Sequence, residues 1–120
     1  MPEKVKYLMI VSMDVDPDHE ALFNEVYDQE HIPNLSRVPG VRGIVRYKRE
    51  ELVMNIGGER KTMRAEHEPA YSAVYELESA DVLTSPEWGK AVEAGRWPTQ
   101  VRPHTRNRRH VLLKTMSDAG

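Results

Sequence analysis

An α+β domain, with four antiparallel strands and two helices on one sheet face, is what this sequence predicts. Three observations carry that prediction. Short apolar runs alternate near both ends and in the middle, two proline-led segments show helical three-and-four spacing, and together they run strand, helix, strand, strand, helix, strand. One hundred and twenty residues, 39% hydrophobic and 30% charged, suffice for a single domain over residues 1–120 and are too few for two.

The first strand is expected over Val5 to Met13, with Tyr7, Met9, Val11 and Met13 on one face and Leu8 and Ile10 on the other, so both faces need cover. At Asp16-Pro17-Asp18 the pattern changes. Asp16 can cap, Pro17 suits the first helical position, and Asp18 and Glu20 put negative charge where the helix dipole favours it. Leu22, Phe23, Val26 and Tyr27 form one buried stripe, and the helix is expected to end near His31, because Ile32 precedes Pro33. Val38-Pro39-Gly40 signals a turn, Val41 to Met54 a strand, and polar Asn55 to Glu68, with Gly57-Gly58, a loop. Ala70 to Glu78 alternates as a half-buried strand with Tyr71, Ala73, Tyr75 and Leu77 on one side. Ser85-Pro86-Glu87 repeats the cap-then-proline start for a short helix with Trp88, Ala91 and Val92, which Gly95 can end. An irregular segment from Arg96 to Thr105 then leads to a last strand over Arg108 to Thr115. This order is the split βαβ arrangement of a ferredoxin-like domain. Its open sheet leaves one face bare, and the simplest cover for the apolar first strand is a second copy of the chain, giving a homodimer with sheets face to face.

Composition narrows the partners. Seventeen Lys plus Arg against nineteen Asp plus Glu give a net charge of -2, so no global basic field recruits nucleic acid or membrane. Charge is uneven, however: Asp14 to Glu30 holds seven acids and no Lys or Arg, and Arg96 to His110 holds five arginines and no acid. Without interleaved aromatics beyond Trp97 the basic segment does not read as a nucleic-acid surface, and its arginines are expected in solvent or paired with the acidic helix within or between subunits. The apolar stretch Tyr7 to Met13 is far short of the roughly 20 residues that span a bilayer. Absence of cysteine removes disulfides, thiolate metal sites and Cys nucleophiles, and fits a cytoplasmic location. Asp14, Asp16 and Asp18 approach a calcium-loop register, but Pro17 and His19 break it. No metal is expected, since His19, His67, His104 and His110 lack ligand spacing and folding alone would have to assemble a site. No P-loop, GxGxxG or GxSxG pattern occurs, and no cofactor is expected; haem needs only one axial histidine, but nothing here demands it.

The most informative stretch is Tyr27-Asp28-Gln29-Glu30-His31-Ile32-Pro33, followed by Val38-Pro39-Gly40-Val41 and Arg46-Tyr47. Over Asn24 to Tyr47, about a third of the chain, it resembles the EthD-like branch of the dimeric α+β barrel superfamily, whose first helix ends in a comparable aromatic-acid-Glu-His-x-Pro segment before a Pro-Gly turn. The resemblance implies a small-molecule cleft between helices and sheet in each subunit, with His31 as the acid-base group. It leaves open isomerisation, cyclisation and oxygen-dependent oxidation of a hydrophobic cyclic or aromatic carbonyl compound, and also a noncatalytic metabolite-binding or interaction role.

Spacing supports an inward His31 independently. Phe23, Tyr27 and His31 lie four apart, so the imidazole follows the stripe that faces the sheet. The alternative is a helix-ending histidine that complements the dipole. Asp28, three residues before His31, can hold a ring nitrogen and set its tautomer. Tyr47 or Tyr75 can donate to an oxyanion, or be a core residue with a wet hydroxyl. Phe23, Tyr27, Tyr75 and Trp88 are the expected substrate-binding residues, with Trp88 alternatively a packing anchor and Trp97 a cover for the cleft mouth or dimer seam. Arg46 and Tyr47 are adjacent on a strand, so one of them faces away from the site.

Overall fold

A computed structural model describes residues 6–118. Its main sheet has four antiparallel strands: β1 (Tyr7–Val15), β2 (Val41–Lys48), β5 (Tyr71–Leu77) and β6 (Thr105–Lys114), in the spatial order β2-β5-β1-β6. That is the ferredoxin-like order, and the helices cover one face. The expected start of the first strand at Val5 lies outside the described residues.

Alternation along the strands decides which side chains the helices cover. Met9, Val11 and Met13 on β1 and Ala73, Tyr75 and Leu77 on β5 are buried beneath Phe23, Val26, Tyr27 and Leu35. Burying these side chains supplies most of the stability, at roughly 1.5–3 kcal/mol each. On the opposite face Val45, Val74, Ile10 and Val111 form one row across all four strands, and Val45 and Val111 are exposed.

The first helical segment begins with a tight turn at Pro17–His19 and continues as α1 (Glu20–Val26). Asp16 does not cap it with its side chain. That carboxylate accepts from Arg106 Nε at 3.4 Å, and the turn's own N–H, that of His19, goes instead to the Asp16 backbone oxygen at 2.9 Å. Nor does the helix stop at His31. It widens into a π turn over Tyr27–His31, where Ile32 N–H reaches back to the Tyr27 carbonyl, and resumes as α2 (Ile32–Ser36). Pro33 lacks an N–H and its ring crowds the preceding turn. The widened turn takes up both defects, and Ile32 keeps helical angles ahead of the proline.

The expected strand Val41 to Met54 breaks after Lys48, because Lys48 opposite Tyr71 is the last pair its partner β5 can offer. The tail of that expected strand, Leu52 to Met54, joins residues expected as a loop from Asn55 onward in a hairpin of β3 (Leu52–Ile56) and β4 (Glu59–Met63). Gly57 and Gly58, both at positive φ (62° and 79°), supply the two-residue turn whose twist suits a hairpin. All ten of its strand residues are exposed, Leu52, Met54, Ile56 and Met63 among them.

Helix α3 (Pro86–Ala91) starts as expected, with Ser85 Oγ accepting from Trp88 N–H at 3.2 Å. The segment after it is helical where irregular chain was expected: Trp97–Val101 forms a second π turn, closed by Arg102 N–H on the Trp97 carbonyl, and Arg102–His104 a tight turn. None of the described helices is long and apolar enough to cross a membrane.

Candidate functional site

Between the helices and the sheet lies a cavity of about 230 Å³. Met9, Val11 and Met13 form its floor, and Leu35, Trp88, Val92 and Trp97 its apolar walls. Its polar lining comes from Tyr27, His31, Tyr75, Arg102, Arg108 and His110.

The π turn delivers His31 to this cavity. Its ring is buried, 5% exposed, stacked on Trp97 with centroids 4.2 Å apart and meeting Tyr27 edge-on at 5.1 Å. Its Nδ1 is buried without a hydrogen-bond partner among the described residues. Burial first, then the positive charge of Arg102, push its pKa down to about 4, against a smaller opposing pull from Glu93. At neutral pH the ring is therefore neutral, with one nitrogen an acceptor.

Trp97 is held over His31 by a clamp that the acidic helix supplies. Glu30 accepts from Arg96 N–H at 2.9 Å and from Arg96 Nε at 2.5 Å, while Glu25 accepts from Arg96 Nη1 at 3.1 Å. Gly95, at φ +71°, makes the approach feasible: a Cβ there would lie 2.6 Å from Glu30 Oε1. The expected pairing of the acidic and arginine-rich stretches thus occurs within the chain.

Tyr27 and Tyr75 share a buried hydroxyl–hydroxyl hydrogen bond of 2.9 Å. Burial raises both phenol pKa values, so both hydroxyls stay protonated. One proton closes the pair and the other remains to be donated. Arg46 lies over the Tyr27 ring, 4.6 Å from its centroid, and donates to Asp28 Oδ1 at 2.8 Å and Asn24 Oδ1 at 2.7 Å.

Three expected site residues therefore stand outside the cavity lining. Asp28 is exposed and engages Arg46 rather than the His31 ring, because the helix turns its side chain toward β2. Tyr47 is 55% exposed on the outer sheet face, while its neighbour Arg46 takes the inner one. Phe23 is buried beside the cavity rather than lining it, packed on Tyr71 at 5.0 Å and Trp97 at 6.1 Å. Trp88 lines the cavity and meets Tyr75 edge-on at 5.7 Å. Sequence reasoning gave Arg102, Arg108 and His110 no place in the site. The signal for His110 and Arg108 was available in the alternation of β6, which sets them on the same face as Leu112.

Folding also assembles Asp16, His19 and His104, whose potential ligand atoms lie within 4.8 Å of one another; the two imidazoles stack at 3.5 Å, and Asp18 Oδ1 lies 3.1 Å from His19 Nδ1. This half-exposed group is a set of nitrogen and oxygen donors, which no spacing in the sequence signalled.

No family model and no curated protein sequence matches the chain. Solved structures do. An antibiotic biosynthesis monooxygenase-like protein from Bordetella bronchiseptica superposes with a TM-score of 0.58 at 16% identity, over 95% of this chain and 100% of that one. An EthD family protein from Bacillus halodurans gives 0.55 at 14% identity, over 92% and 99%. The haem degrader MhuD from Mycobacterium tuberculosis, with two haems bound in its active site, gives 0.57 at 14% identity, over 95% and 99%. The chain has the ferredoxin-like α+β fold of these proteins. The ferredoxin-like fold that the EthD-like resemblance implied for a single chain is thus the one observed, and identities this low speak to fold alone.

Proposed function

We propose that the chain is a homodimeric small-molecule enzyme, in which His31 exchanges a proton with a hydrophobic cyclic carbonyl compound and needs no organic cofactor. The observation that carries this reading is the neutral imidazole with an unpartnered, buried Nδ1 in the wall of a cavity, on the same cavity as the Tyr27–Tyr75 pair. A buried polar atom left unpaired costs roughly 1–3 kcal/mol, which makes it a marker of function. Size sets the ligand: an apolar cavity of about 150 Å³ holds benzene, so about 230 Å³ takes one substituted ring.

The chemistry is proton abstraction beside a carbonyl. His31 takes the proton, the C–H electron pair passes into the enolate, and the free hydroxyl proton of the tyrosine pair hydrogen-bonds the developing oxyanion. Returning the proton to another carbon gives isomerisation, and attack by the enolate carbon on a second carbonyl gives ring closure. The resting pKa makes His31 a weak base, but negative charge growing beside it raises that pKa as the proton moves. Trp97 and Trp88 give the reacting atoms an apolar wall.

The dimer in this proposal rests on the apolar row Val45, Val74, Ile10 and Val111 with exposed Tyr47 beside it, which a second copy would bury symmetrically. Sedimentation velocity at micromolar concentration should give a dimer, and Val111→Asp a monomer; a monomeric wild-type chain would remove this part of the reading. For the chemistry, the test is conversion of a β,γ-unsaturated cyclohexenone to its conjugated isomer, followed by ultraviolet absorbance. Turnover that His31→Gln abolishes supports the enzyme. A ring compound that binds equally to both proteins without turnover, or exchange of its α-protons, favours a noncatalytic binding protein.

A further inference from the structure

We propose that the ligand of this cavity is an anion, a single-ring carboxylate, whose charge is met by Arg108. This deepens the functional reading above and rests on it. The chain holds more acids than bases, yet among the described residues no Asp or Glu lines the cavity, whereas Arg102, Arg108, His31 and His110 do. The acids near the site are committed elsewhere. Glu30 holds Arg96, Glu93 holds Arg102 at 2.6 Å, Asp16 faces Arg106 and Glu68 holds Arg109 at 2.8 Å. Of the five arginines between Arg96 and His110, Arg108 alone pairs with no acid among the described residues.

Strand geometry explains the contrast between neighbours. Arg109 stands opposite Ser12 on the outer face and reaches Glu68, while Arg108 takes the cavity side with His110. Burial first, then the charge of Arg108, hold His110 below its ordinary pKa, so at neutral pH that ring adds hydrogen-bonding capacity without needing a counter-charge. The apolar floor and walls would take the ring. A guanidinium at the mouth offers a carboxylate a forked, charge-assisted contact, where a neutral group would leave it unmatched.

The test uses isothermal titration of the wild-type chain with benzoate, benzamide and benzyl alcohol, repeated in Arg108→Gln and in Arg109→Gln. We expect benzoate to bind about 10- to 100-fold tighter than benzamide, with the preference lost in Arg108→Gln and kept in Arg109→Gln. Equal binding of benzoate and benzamide, or a preference that survives Arg108→Gln, overturns the anion proposal and leaves the small-molecule reading standing. If none of the three compounds binds the folded wild-type protein, both fall.

Discussion

His31 provides a stability probe that needs no ligand. Its pKa falls from an ordinary value of 6.5 to about 4 in the folded chain. Between these values the unfolded chain binds a proton that the folded chain refuses, so stability is complete above about 6.5 and drains away as pH falls toward 4. The whole difference is worth about 3 kcal/mol, of which about 2 kcal/mol has been lost by about pH 5. His110, also pushed down, by burial and by Arg108, acts in the same direction. The informative measurement is therefore the difference between wild type and His31→Gln, in urea unfolding at about pH 7.5 and about pH 5 with protein concentration fixed. Wild type should lose about 2 kcal/mol more than the variant, a midpoint difference of about 1 M urea. Equal losses would mean that His31 is not a desolvated imidazole, and the account of the cavity would be wrong.

Other parts of the site can be probed in the same way. Arg46→Met should cost about 2 kcal/mol by chemical denaturation, because it removes the contacts with Asp28 and Asn24 and the stacking over Tyr27; Arg46→Lys should restore less than half. Tyr27→Phe and Tyr75→Phe should each cost about 1 kcal/mol and the double variant less than their sum, since both break one hydrogen bond; full additivity in a double-mutant cycle would contradict the shared bond. Gly95→Ala should destabilise by about 1–3 kcal/mol and shift Trp97 emission, through positive φ and the clash with Glu30; an unchanged spectrum and melting temperature would count against the clamp.

The sequence carried the frame because its signals are local. Alternation in Tyr71 to Leu77 and the serine and proline before Trp88 each depend on a few neighbours, and the structure shows both. The misreadings share a different cause. Pro33 ends a regular helix, but not one widened by a residue just before it. Gly57-Gly58 reads as loop or hairpin turn according to whether Leu52–Ile56 finds a partner, and Glu59–Met63 is polar enough to hide one. The site was legible as far as Tyr27, His31, Tyr75 and Trp88, which periodicity turns inward. Its other half was not. Arg46 claims Asp28 from another strand, and although alternation in β6 fixes the face of Arg108 and Trp97 was a candidate cover, their meeting with His31 across some 65 to 80 residues is a contact that no local pattern encodes.

The widened turn also bears on how such a site can arise and be dismantled. A π turn holds one residue more than an ordinary helix needs for the same advance. A chain lacking a single residue between Tyr27 and His31 would close the same ladder as an ordinary helix, with the imidazole still preceding Ile32. What such a deletion would alter is the register between the imidazole and the Phe23–Tyr27 stripe, an event of length that no point change reproduces.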